Sequence, residues 1–128
     1  MEDKCLCEPS EILVFPCSGG SNVGQIANQA GAKLDQDGVG RMFCLAGVGA
    51  HVSGMIESTR AGKMIVAIDG CSVACAKKTL EHAEFKVDEY VQVTDLGIEK
   101  KHNFTFPSSD TEKVTDHLKT RIAQRKAA

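Results

Sequence analysis

No sign of charge dominates this sequence: fifteen lysines and arginines stand against seventeen aspartates and glutamates, for a net charge of -2. Such a balance creates no global field for a nucleic acid or an anionic membrane, so neither is expected as a partner. No apolar run approaches the roughly 20 residues needed to span a bilayer. The start, Met1-Glu2-Asp3-Lys4-Cys5, lacks the apolar core of a signal peptide. A soluble, cytoplasmic protein is expected. Internal repeats and low-complexity tracts are also missing, and 128 residues suit one ordinary domain rather than two.

What the chain has is cysteine, six in all. In a reducing compartment, thiols at this density more often bind metal or carry out redox chemistry than form structural disulfides. The even count is the argument for disulfides instead.

Short apolar runs alternate with helical patterns, a rhythm that predicts an α/β fold. We expect a single three-layer domain, Rossmann- or flavodoxin-like, with a mainly parallel sheet of four or slightly more strands flanked by helices. Residues 1–10 are expected to form a flexible arm and 11–128 the domain. Glu11-Ile12-Leu13-Val14-Phe15 reads as a buried strand. After the turn Cys17-Ser18-Gly19-Gly20, Ser21 or Asn22 caps a helix with Val23, Ile26, Ala27, Ala30 and Leu34 inward, ending near Asp37-Gly38. A second strand is expected over about Arg41 to Leu45, and the glycine-rich stretch Ala46 to Ala50 then leads into a helix bearing Val52, Met55, Ile56 and Thr59. Lys63 to Ile68 reads as a third strand, followed by Asp69-Gly70-Cys71 and a helix with Ala76, Leu80 and Ala83 on one face. A half-exposed fourth strand covers Glu89 to Thr94. Ser109 and Glu112 have the spacing of a capping box for a last helix with Val114, Leu118 and Ile122 inward. Leu96 to Phe106 matches no pattern. The cations Lys119, Arg121, Arg125 and Lys126 fit a solvated helix face better than a polyanion contact.

In an open parallel sheet every strand delivers its carboxyl end to one edge, where ligands bind. Cys17 follows the first strand, Cys44 lies at the end of the second and Cys71 follows the third. Cys75, four residues after Cys71, would share its helix face. Four soft thiolates are a standard complement for zinc, and the same set suits an iron–sulfur cluster.

The runs Pro16-Cys17-Ser18-Gly19-Gly20-Ser21, Cys44-Leu45-Ala46-Gly47 and Asp69-Gly70-Cys71 with Cys75-Ala76 resemble the DGC-domain family, named for that triplet. The resemblance covers about Ile12 to His102. It implies a zinc-binding protein whose chelating cysteines correspond to Cys17, Cys44, Cys71 and Cys75, with zinc serving structure, metal handling or a protein partner of unknown identity.

Other readings use the same residues. A thiol redox or transfer enzyme would employ Cys71 and Cys75, or Cys17. A cysteine before a glycine-rich turn and a helix also suits an oxyanion-attacking nucleophile, but such loops end in an arginine, and Val23 and Gly24 stand there. Gly47-Val48-Gly49 with Asp69 only partly copies a dinucleotide fingerprint, because Val52 occupies the third glycine position. Accessory roles fall to Asp69, as helix cap or ligand orienter, and to His51, as replacement ligand or solvated side chain. Cys5 and Cys7, a Cys-x-Cys pair on the arm, would extend the site, hand over metal or reduce a core disulfide; alternatively they are a tail that carries thiols.

Overall fold

A computed structural model describes residues 11–127 of the chain. The expected arm, with Cys5 and Cys7, lies outside the described residues.

Four strands form one all-parallel sheet in the order β2-β1-β3-β4. They are β1 (Ile12–Pro16), β2 (Arg41–Met42), β3 (Met64–Asp69) and β4 (Glu89–Gln92). Five α-helices connect or cover them: α1 (Asn22–Gln36), α2 (Leu45–Gly49), α3 (Ser53–Arg60), α4 (Cys75–His82) and α5 (Ser108–Ala127). A short 3₁₀ turn spans Val93–Leu96. This is the expected three-layer α/β domain, and its strand order is that of the first four strands of a flavodoxin-like sheet.

β1 is fully buried and pairs with β3 from Ile12↔Met64 to Pro16↔Ile68. Its side chains alternate between two cores. Ile12 and Val14 join Val66, Ile68, α1 and α5 on one face. Leu13 and Phe15 join Ile65, Ala67, Val48 of α2 and Ala76 and Leu80 of α4 on the other. Each fully buried side chain of this size contributes about 2–3 kcal/mol of hydrophobic stabilisation, and Phe15, Ile26, Leu34, Ile68, Leu80 and Leu118 are of this kind.

The chain leaves β1 through α1 toward β2, then crosses back over β1 to reach β3. Right-handed crossovers in opposite directions put the connecting helices on opposite faces, and α1 accordingly contacts α5 while α2 contacts α4. The strand order reverses between β1 and β3, which opens a crevice at their carboxyl ends.

Several expected boundaries shift. β2 stops at Met42, and Leu45, read as strand, begins α2. The glycines at 47 and 49 sit inside that helix rather than in a turn. β4 ends at Gln92 because the chain tightens into the 3₁₀ turn. Helix α5 already includes Ser108 and Ser109, so Ser109 is not its cap. Three of its four cations named above are engaged: Arg121 and Arg125 both hold the buried Glu89 of β4, and Lys119 binds Asp37 at the end of α1. Among the described residues no helix is long and apolar enough to cross a membrane.

Candidate functional site

Three backbone segments meet at the crevice between β1 and β3. Cys17 N–H donates to Ile68 C=O at 2.8 Å, continuing the β1–β3 pairing one residue past the strand. The loop then turns tightly through Gly19 and Gly20, and Ser21 caps α1 by accepting from Gly24 N–H at 3.1 Å. Gln25 pins the turn with a 3.0 Å bond from Nε2 to Gly19 C=O. Glycine at two positions is a steric requirement. A Cβ on Gly24 would lie 2.6 Å from Gly19 O, and one on Gly70 would lie 2.8 Å from Gly24 N. Backbone cannot yield as a flexible side chain can, so the middle residue of Asp69-Gly70-Cys71 must be glycine for this loop to rest against α1.

The convergence leaves a cavity of about 180 Å³ lined by Cys17, Cys71 and Cys75 together with Gly19, Ser21, Asp69, Ala74 and Lys100. Three of the four cysteines singled out by sequence thus share one cavity. Cys71 and Cys75 do not share a helix, however. Cys71 lies in a turn closed by Ala74 N–H to Cys71 C=O at 3.1 Å, and Ala74 adopts a left-handed conformation (φ 59, ψ 47) that delays the start of α4 to Cys75. A non-glycine residue in that region costs about 1 kcal/mol.

Cys44 goes elsewhere. It is the N-cap of α2, with Sγ accepting from Gly47 N–H at 3.3 Å, and it lines a neighbouring cavity of about 390 Å³ with Pro16, Ser18, Phe43 and Thr79. Pro16 and Ser18 flank Cys17, so the two cavities lie on either side of that residue. All four described cysteines are free thiols.

Asp69 is only 1 % exposed and caps α4 from outside the helix. Its carboxylate accepts from Ala76 N–H at 2.7 Å, Lys77 N–H at 3.0 Å and the Tyr90 hydroxyl at 3.0 Å. These bonds fix the first turn of α4, where Cys75 stands. Burial, and then the Asp69 charge, push the Tyr90 hydroxyl well above its usual range, so it remains a donor. His51 lines neither cysteine cavity; its exposed ring packs edge-on against His82 with centroids 5.5 Å apart.

The thiols differ in electrostatics. Burial pushes the Cys17 thiol up, against the pull of hydrogen bonds from the Gly19 and Gly70 backbone. Cys71 instead meets a cation, the Lys100 ammonium 3.4 Å from its Sγ. Lys100 comes from the segment that matched no sequence pattern. Asn22, 5 % exposed, holds that segment on both sides of Lys100: its Nδ2 donates to Glu99 C=O at 2.9 Å, its Oδ1 accepts from Lys101 N–H at 2.6 Å, and its own N–H donates to Lys101 C=O at 3.1 Å. Nothing in the local sequence signals this, because the partners are 77 and 79 residues apart.

The donor set is soft and all-sulfur at the cavity wall, which suits zinc or iron in kind. The arrangement is open: among the described residues no group of three or more histidine, cysteine, aspartate or glutamate side chains stands close enough to hold an ion.

Comparison with known proteins agrees with the motifs. The DGC domain family matches residues 13–118. The "Anaerobic and virulence modulator AnvM" of Pseudomonas aeruginosa is 34% identical over 102 residues, covering 80% of this chain and 78% of that protein. No solved structure matches. With most of its length matched by the family and by a relative of similar extent, the chain belongs to the DGC domain family.

Proposed function

We propose that this protein binds zinc reversibly through thiolates and acts as a metal-handling or metal-sensing module. The observation that carries this reading is the shared cavity of Cys17, Cys71 and Cys75 at the strand-order reversal. These three would be donors, and Cys44 would complete the set after releasing its weak sulfur cap on Gly47. Bound zinc would hold the thiolates deprotonated and tie the three loops together. The chain's own residues do the rest: Gly70 allows the loops to approach, Asp69 fixes the turn carrying Cys75, and Asn22 brings Lys100 beside Cys71.

Two arguments favour handling over a purely structural ion. The buried members of both hydrophobic cores include no cysteine, although Cys17 packs against both cores and Cys71 against the first as partly buried neighbours, so the domain has cores of its own where small zinc fingers depend on their metal. The open arrangement also requires the thiols to move together, which favours exchange. The name of the relative, a modulator, fits a site whose state changes better than a fixed structural centre.

Anaerobic purification with metal quantification and thiol counting tests this. About one zinc per chain is expected, and a chelator should remove it while far-ultraviolet circular dichroism stays unchanged. A fully reduced chain that takes up no zinc overturns the proposal, and a brown preparation with visible charge-transfer bands replaces zinc with an iron–sulfur cluster on these residues.

A further inference from the structure

The cavity is wider than a bare ion needs. Its sulfurs line about 180 Å³ of space, against the roughly 10–15 Å³ of such space that is enough to hold one water. It combines a half-buried thiol at Cys71, an exposed one at Cys75 four residues later, and one cation aimed at the first of them. The cation is placed deliberately: a buried asparagine makes three hydrogen bonds to the residues on either side of Lys100. Asp69, the other charged wall residue, is only 1 % exposed and its carboxylate is taken up by bonds from Ala76, Lys77 and Tyr90, whereas Lys100 is exposed. Lys100 therefore sets the charge an entering molecule meets.

We propose that the cavity exchanges disulfides with small anionic disulfides, which Lys100 docks, Cys71 attacks and Cys75 resolves. The Cys71 sulfur attacks one sulfur of the bound disulfide; that S–S bond breaks, the first small thiolate leaves with the electron pair, and a mixed disulfide forms on Cys71. The Cys75 sulfur then attacks Cys71 Sγ and expels the second thiolate. The two protein thiols lose two electrons and two protons, and the small disulfide gains them to become two thiols. This activity goes beyond metal binding and needs no metal, so each can fail without the other.

The test uses the full chain, reduced and chelator-treated, with net-anionic glutathione disulfide and cationic cystamine as probes near neutral pH. Glutathione disulfide should react about tenfold faster than cystamine, as expected where a single cation selects charge at close range. Lys100→Glu should reverse that preference and Lys100→Arg should keep it. The ratio is read within one preparation, so it is insensitive to a loss of folded protein. In Cys75→Ser the glutathione adduct should accumulate on Cys71 by peptide mapping. First modification at Cys17 or Cys44, or a probe preference that Lys100→Glu leaves unchanged, overturns the proposal. Zinc titration of the same preparation scores the metal reading separately.

Discussion

The two cysteine cavities lie at the same edge of one sheet, yet they are built differently. The cavity between β1 and β3 is walled by backbone pressed against backbone, with Gly24 and Gly70 at the contacts and the buried Asp69 bracing one side. The cavity of Cys44 is walled by side chains, and its thiol rests on a helix only five residues long. Parallel topology brings every loop to the edge; close backbone contact decides which side chains share a cavity. Gly70→Ala should break this contrast most severely. Its Cβ would meet Val23 C at 2.8 Å and Val23 O at 2.9 Å, atoms that no rotamer change can move. A loss of about 2 kcal/mol is expected from this overpacking, read as a lower urea midpoint at unchanged slope. A stability loss below about 0.5 kcal/mol, the range of ordinary surface changes, would show that the loops are less tightly joined than they look.

Thiol reactivity offers the next largest difference. Cys44 is exposed, whereas Cys17 is half-buried with its thiol pushed up by burial. Alkylation proceeds through the thiolate, so Cys44 should react about tenfold faster near neutral pH. The sign with pH follows: as pH rises through the raised value of Cys17, its thiolate fraction grows, its alkylation speeds up, and the gap narrows toward the part due to access alone. Peptide mapping after timed alkylation measures both rates. Equal rates at neutral pH would erase the electrostatic distinction between the cavities.

Tyr90→Phe should have a smaller effect, confined to the first cavity. It removes the hydroxyl that bonds Asp69 at 3.0 Å but leaves the two backbone donors of α4 in place. The loss of one hydrogen bond to a carboxylate predicts about 1–2 kcal/mol of destabilisation. Alkylation of Cys75 should change while that of Cys44 does not.

Much of this was legible in the sequence because it depends on period and order. Apolar runs gave the strands, and strand-end placement put Cys17, Cys44 and Cys71 at one edge. The short helix that Cys44 caps was not legible, because five residues are too few to show a period and its glycines look like a turn. The shared helix of Cys71 and Cys75 failed at Ala74, an alanine in a left-handed conformation that no residue type announces. Lys100 was invisible because its position depends on Asn22, far away in sequence, and Asn22 itself reads locally only as a helix-start residue.

Gly47→Ala should produce the smallest change and is the sharpest check on the contrast. A Cβ there would come within 2.7 Å of Met55 Cγ and 3.6 Å of Cys44 Sγ. The first contact is severe on paper, but Met55 is a half-buried, flexible side chain that can rotate away. Replacing a helical glycine also recovers up to about 1 kcal/mol of backbone entropy. The two effects oppose each other, and a net change within about 0.5 kcal/mol is expected, with somewhat slower alkylation of Cys44 because the new methyl crowds its sulfur. A glycine that meets a side chain should tolerate what a glycine that meets backbone does not. If Gly47→Ala costs as much as Gly70→Ala, both cavities are fixed by backbone, and Cys44 loses the freedom it needs to leave its cap and join the other three thiols.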